Sequence, residues 1–188
     1  MSGDIGPEKF DKLVAAKQIV GTFSIMVQFM EELAACALRS MADLPYRDPM
    51  KAKQFGNAHV LVFAVGEQVL ETLNTYLLQH TITAAQFMAI GGFSQVQLAY
   101  FNVQTKQYEH RDVNEQVEVI SMIGNVALMG GKPFVHTHVC VSTREYQAHA
   151  GHLRSATVRP TLELFLTQLN GELIREQDLS TGLEGLQP

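Results

Sequence analysis

The spacing of apolar positions changes once along the chain, near residue 58. Before it, Leu13, Ala16, Val20, Phe23, Val27, Met30, Ala34 and Ala37 recur at alternating intervals of three and four. That spacing keeps them on one stripe of a 3.6-residue helix, and Ile19, Met26 and Leu33 widen the stripe. Pro7 suits a first helical residue, and Pro45 and Pro49 end the run, since proline lacks the N–H and restricts the residue before it. The pattern predicts one long helix over residues 7–44. It leaves open whether the stripe packs on its own domain or on another subunit. Residues 45–57 are polar and carry two prolines, which reads as a linker.

Beyond residue 58 the apolar runs shorten. His59 to Val65 reads as a buried strand and Gly66 breaks it. Val69, Leu70, Leu73, Leu77 and Leu78 then give a helix between Glu67 and His80. Strand-like runs follow near residues 83–90, 95–103, 117–128, 133–142 and 157–169. Gly91-Gly92, Gly130-Gly131 and Asn170-Gly171 read as the turns between them. One helix and many successive strands predict an α/β (α+β) fold. Its sheet is mostly antiparallel, with few helices, and not doubly wound. The expected division is a helical arm and linker over residues 1–56 and a domain over 57–188.

Composition narrows the function. The chain has 188 residues, of which 46% are apolar and 18% charged, enough for a real core. Its formal charge of −5 offers no general attraction for polyphosphate. Two cysteines, Cys36 and Cys140, cannot build a disulfide framework and read as reduced thiols. Asp4 and Glu8 stand where a signal peptide would be positive, and they also argue against a mitochondrial leader. Ile19 to Met30 is too short and too polar to span a bilayer. The expected compartment is the cytosol. The chain contains no phosphate loop, no dinucleotide-binding glycine pattern and no Gly-x-Ser-x-Gly elbow.

The chemistry concentrates in Pro133 to Val141, where Phe134, His136, His138 and Cys140 alternate with Val135, Thr137, Val139 and Val141. Histidines two apart on a strand point the same way, which makes a two-imidazole grip. A divalent metal, zinc above all, needs at least a third ligand. His149 and His152 follow, and Gly151 reads as a sharp loop turn placing His152. The plain alternative is two strand histidines satisfied by hydrogen bonds. If Gly130-Gly131 closes the simplest hairpin, Asn125 and Ile123 lie opposite His136 and His138 on the same face. Asn125 is then a candidate to support the ligands from behind, as is His149 by proximity. In that register Glu118 faces away from the histidines, unless a bulge intervenes.

Gly124-Asn125, Gly131-Lys132-Pro133, His136-x-His138, Gly151-His152-Leu153 and Thr161-x-Glu163 together resemble the plants and prokaryotes conserved (PPC) domain. Gly66-Glu67, Ile90-Gly91, Tyr100-Phe101, Arg175 and the segment Asp178 to Leu183 fit the same pattern. The resemblance covers about residues 57–186. Ala150 replaces the first glycine of the family's Gly-Gly-His. The resemblance implies a homotrimeric α/β domain, with a metal on the histidines matching His136, His138 and His152. It also implies a DNA-associated regulatory role. In plant relatives that role uses a separate Arg-Gly-Arg-Pro hook, which this chain lacks. Charge disfavours direct DNA binding, so two readings stand. One is a DNA-linked regulatory module. The other is a zinc-dependent small-molecule enzyme, hydrolase-like with His149 as a candidate base, or a ligand-binding protein. A metal that only fixes the loop around Gly151 is the bland alternative.

Overall fold

The computed structural model describes residues 49–178 and 181–187. The arm expected over residues 7–44, Cys36 included, lies outside the described residues.

Strands β1 (Lys51–Phe55) and β2 (Ala58–Phe63) form a tight antiparallel hairpin, pairing Phe55 with Ala58. Gly56 turns it with a φ of 62°, a conformation glycine adopts without a Cβ clash. Residues 51–55 therefore correct the linker reading. All five are exposed, so β1 has no buried face to leave a hydrophobic signature. Helix α1 (Val69–Gln79) buries Val69, Leu73, Tyr76 and Leu77, the face that the helical spacing predicts.

Seven strands follow: β3 (Ala85–Asn102), β4 (Gln107–Val113), β5 (Val117–Met129), β6 (Lys132–Ser142), β7 (Ala148–Gln168), β8 (Ile174–Asp178) and β9 (Leu183–Gln187). Among the described residues, all strand pairings are antiparallel except a short parallel contact of β5 with β8. This is, among the described residues, the mostly antiparallel sheet with one helix that the alternation predicts. β3 pairs β5, β5 pairs β6, β6 pairs β7 and β7 returns to β3. The circuit closes, so the sheet curls on itself. Leu162, Leu164 and Leu166 alternate inward with Phe63, Phe93 and Met122 in the core. Each such side chain contributes about 1.5–3 kcal/mol on burial. Glu163 and Phe165 alternate outward and are exposed.

Gly91-Gly92 is not a turn. Both lie inside the 18-residue β3, at a register shift against β5 and β7. A Cβ on Gly91 would come within 2.3 Å of the Thr161 carbonyl oxygen. The pair is there because two backbones meet, which a local turn reading cannot distinguish from a chain reversal. The two runs expected at 83–90 and 95–103 are thus one strand. No helix among the described residues is long and apolar enough to cross a membrane.

Candidate metal centre

β5 and β6 form the hairpin that the alternation predicts, around Gly130-Gly131, with Asn125 opposite His136 and Ile123 opposite His138. Thr137, buried between the two histidines, donates its hydroxyl to the Ile123 carbonyl at 3.0 Å and ties the strands together. On the other side β7 pairs with β6 and sets His152 directly across from His138. His152 is therefore a strand residue, not a loop residue. Gly151 makes no sharp turn: it sits where β7 passes β3, and a Cβ there would stand 2.8 Å from the Ala99 carbonyl oxygen. The third imidazole arrives by strand pairing.

The three rings converge. Centroids are 5.3 Å apart for His136 and His138, 4.2 Å for His138 and His152, and 4.9 Å for His136 and His152. One nitrogen from each lies within 4.8 Å of the others. His138 is exposed and the other two are half-buried, so the group opens to solvent. Burial lowers the pKa of His136 to about 4, aided by the charge of Arg175 and by the neighbouring histidines. Burial and the neighbouring His138, Arg154 and Arg175 also lower that of His152. Both imidazoles are then neutral at pH 7, each with one N–H and one ring lone pair.

Asn125 lies opposite His136, as the hairpin register predicts, and the two share a hydrogen-bond partner from outside the hairpin. Arg175, on β8, donates from Nη2 to Asn125 Oδ1 at 2.8 Å and to His136 Nδ1 at 2.9 Å. Its Nη1 donates to the Glu184 carbonyl of β9 at 2.7 Å. Arg175 is buried, and its guanidinium also faces the Phe134 ring at 5.9 Å. Tyr108 was missed too. Its hydroxyl lies 3.5 Å from His152 Nε2, and Arg154 stacks over its ring at 5.5 Å. Arg175 had a signal, its place in the family pattern. Tyr108 had none, because β4 is polar and mostly exposed.

His149 is not part of the group. It pairs with Val141, three residues before His152 and so on the opposite face. There it lines a depression with Tyr100, Glu109, His110 and Arg111. Glu118 also moves. A register shift between Val119 and Ser121 pairs it with Ser142, on the histidines' face but far along β5. The bulge reverses the orientation that a regular register predicts. It lines a separate depression beside Thr143 and Arg144. Cys140 is a free thiol.

With this geometry in hand, residues 50–170 match the profile of the Plants and Prokaryotes Conserved domain. No curated protein matches the chain. Among solved structures, a candidate DNA-binding protein from Bacteroides thetaiotaomicron is similar, with 25% identity and a TM-score of 0.72. The alignment covers 74% of this chain and 98% of that one. A metal-containing protein from Archaeoglobus fulgidus shares 29% identity at a TM-score of 0.67, covering 76% of this chain and 100% of its own. A plant- and prokaryote-conserved protein from Pyrococcus horikoshii shares 27% at a TM-score of 0.64, covering 74% and 96%.

Proposed function

The chain belongs to the Plants and Prokaryotes Conserved domain family, and on that footing we propose that it holds one divalent cation on His136, His138 and His152 and uses it to bind a small ligand. The observation that carries this reading is the convergence of three imidazole nitrogens within 4.8 Å. Tetrahedral zinc with bonds of about 2.0–2.1 Å sets its ligand nitrogens roughly 3.3 Å apart. Small ring rotations would bring the three to that spacing. An all-nitrogen set suits zinc far better than magnesium or calcium, which prefer oxygen. The similar Archaeoglobus protein is described as metal-containing, which supports the same reading. Three protein ligands leave a fourth position, where a bound cation would polarise a ligand or water. The test is metal analysis of purified protein. About one zinc per chain is expected, lost in the His136→Ala/His138→Ala variant; unchanged content in that variant would exclude the site.

A DNA-linked role is the second reading, favoured by the description of the Bacteroides protein. The formal charge of −5 weighs against direct contact with DNA, so a regulatory role would run through other proteins.

The family resemblance also supports a homotrimer. Phe165, Met88 and Ile123 lie in register on the outer face, 53%, 60% and 61% exposed, and the row continues to His138. Apolar surface left in water costs about 25 cal/mol per Å2, so a second copy covering this row would be favoured. Light scattering should give a trimer mass for the full chain and for a chain starting at Met50, and a lower mass for Met88→Lys/Phe165→Lys. A monomeric full chain would exclude this assembly.

A further inference from the structure

A cleft of about 590 Å3 adjoins the three histidines and is lined also by Tyr108, Arg154 and Arg175. Arg175 is the unusual member. It is 8% exposed, and Nη1 and Nη2 donate to the Glu184 carbonyl, to Asn125 Oδ1 and to His136 Nδ1, all neutral groups. Its Nε is buried with no hydrogen-bond partner. A buried donor left unpaired costs about 1–3 kcal/mol, more when charged.

The contact with His136 matters most. A neutral imidazole has one N–H and one lone pair. While Nδ1 accepts from Arg175, that lone pair is occupied and Nε2 carries the proton. His136 then has no nitrogen free for a cation. A cation bound through Nδ1 takes the lone pair outright. Bound through Nε2, it leaves Nδ1 as an N–H facing another donor. In either case Arg175 loses an acceptor and has two buried donors to satisfy beside a doubly charged ion. The acid lining the cleft, Glu184, is exposed on β9; its charge supports the Arg175 guanidinium through solvent that screens it, and it is its carbonyl that accepts from Nη1. The vacated position calls for a planar anion with two oxygens, one for each cation, and the flat fork of a guanidinium matches a carboxylate.

We propose that the cleft binds a small carboxylate that bridges the cation on His136, His138 and His152 and the guanidinium of Arg175, with Arg154 at the rim. This rests on the metal reading above. Cobalt(II)-loaded full-length protein would be titrated with acetate, acetamide and inorganic phosphate while the visible spectrum of the metal is followed. Acetate should shift the spectrum and saturate in the millimolar range; uncharged acetamide should require at least tenfold more. In the cobalt-loaded fraction, Arg175→Gln should raise the acetate half-saturation tenfold or more, and Arg175→Lys should recover part of it. Should the buried substitutions unfold the domain, the exposed Arg154→Met variant should still weaken acetate two- to fivefold. Equal responses to acetate and acetamide would overturn the proposal, as would wild-type affinity in all the arginine variants. Tighter binding of phosphate than of acetate would overturn the carboxylate assignment. Failure to bind cobalt at all would overturn the metal reading and this proposal together, whereas cobalt binding without an acetate response would overturn this one alone.

Discussion

His59 and His80 meet around Tyr76, and His136, His138 and His152 meet on the outer face of the sheet. Ring separations are similar, 4.1–6.2 Å in the first group and 4.2–5.3 Å in the second. Their surroundings differ. His59 pairs with the core residue Leu166, is 1% exposed, and shares a hydrogen bond of 2.9 Å between Nδ1 and the Tyr76 hydroxyl. His138 pairs with Ile123 on the solvent side and is exposed. Imidazoles that are merely close make a packed aromatic cluster. A binding site also needs ring nitrogens gathered toward one point and a way in from solvent. Strand parity decides between the two, because it determines which face a histidine reaches.

The largest test of this difference is metal content. His136→Ala/His138→Ala should abolish zinc binding, while His59→Ala should leave it near one per chain. Loss of zinc in His59→Ala without loss of fold would break the distinction.

Stability should show the reverse order. In metal-free protein, His59→Ala removes a buried ring and leaves the Tyr76 hydroxyl unpaired, for a cost of about 2–4 kcal/mol in urea unfolding. His138→Ala, at an exposed position, should stay within about 0.5 kcal/mol. Equal costs would mean that both groups are structural.

Acid sharpens the comparison further. Burial lowers the pKa of His59, with the charge of His80 adding to it, and His136 falls to about 4. A folded pKa below the unfolded value of 6.5 means the unfolded chain takes up protons first. Stability from these groups is complete above pH 6.5 and declines as pH falls toward 4. Chemical denaturation of metal-free protein between pH 7 and 4 should show that decline, less steeply in His136→Ala. A flat profile would count against the neutral-imidazole account.

The smallest expected effect is on DNA. Arg154 and Arg175 point their charge into a cleft beside the histidines, not across a broad face, and the chain is acidic. Duplex DNA at physiological salt should bind weakly and without sequence preference. Nanomolar, sequence-specific retardation in a mobility-shift assay would reverse this.

Much of the site is written in the local sequence. The alternation of Phe134, His136, His138 and Cys140 against valines requires a strand with both imidazoles on one face. The Gly130-Gly131 reversal then sets Asn125 opposite His136. Such features follow from strand geometry and one short turn, so neighbours in sequence suffice to determine them. The remainder depends on contacts between distant segments. His152 reaches His138 only because the 21-residue β7 pairs with β6 at one end and with β3 and β2 further along. Its glycine serves that crossing and not a loop. The Val119–Ser121 bulge turns Glu118 over without any mark in the alternation. β4 and β8–β9 lack the regular inward face that would announce them, and their pairing with larger strands is what brings Tyr108 and Arg175 to the histidines. Local periodicity reports which way a side chain points along its own strand; which side chains meet is decided by strand pairing across the sheet, where the energy lies in backbone ladders and shared core that no single segment contains.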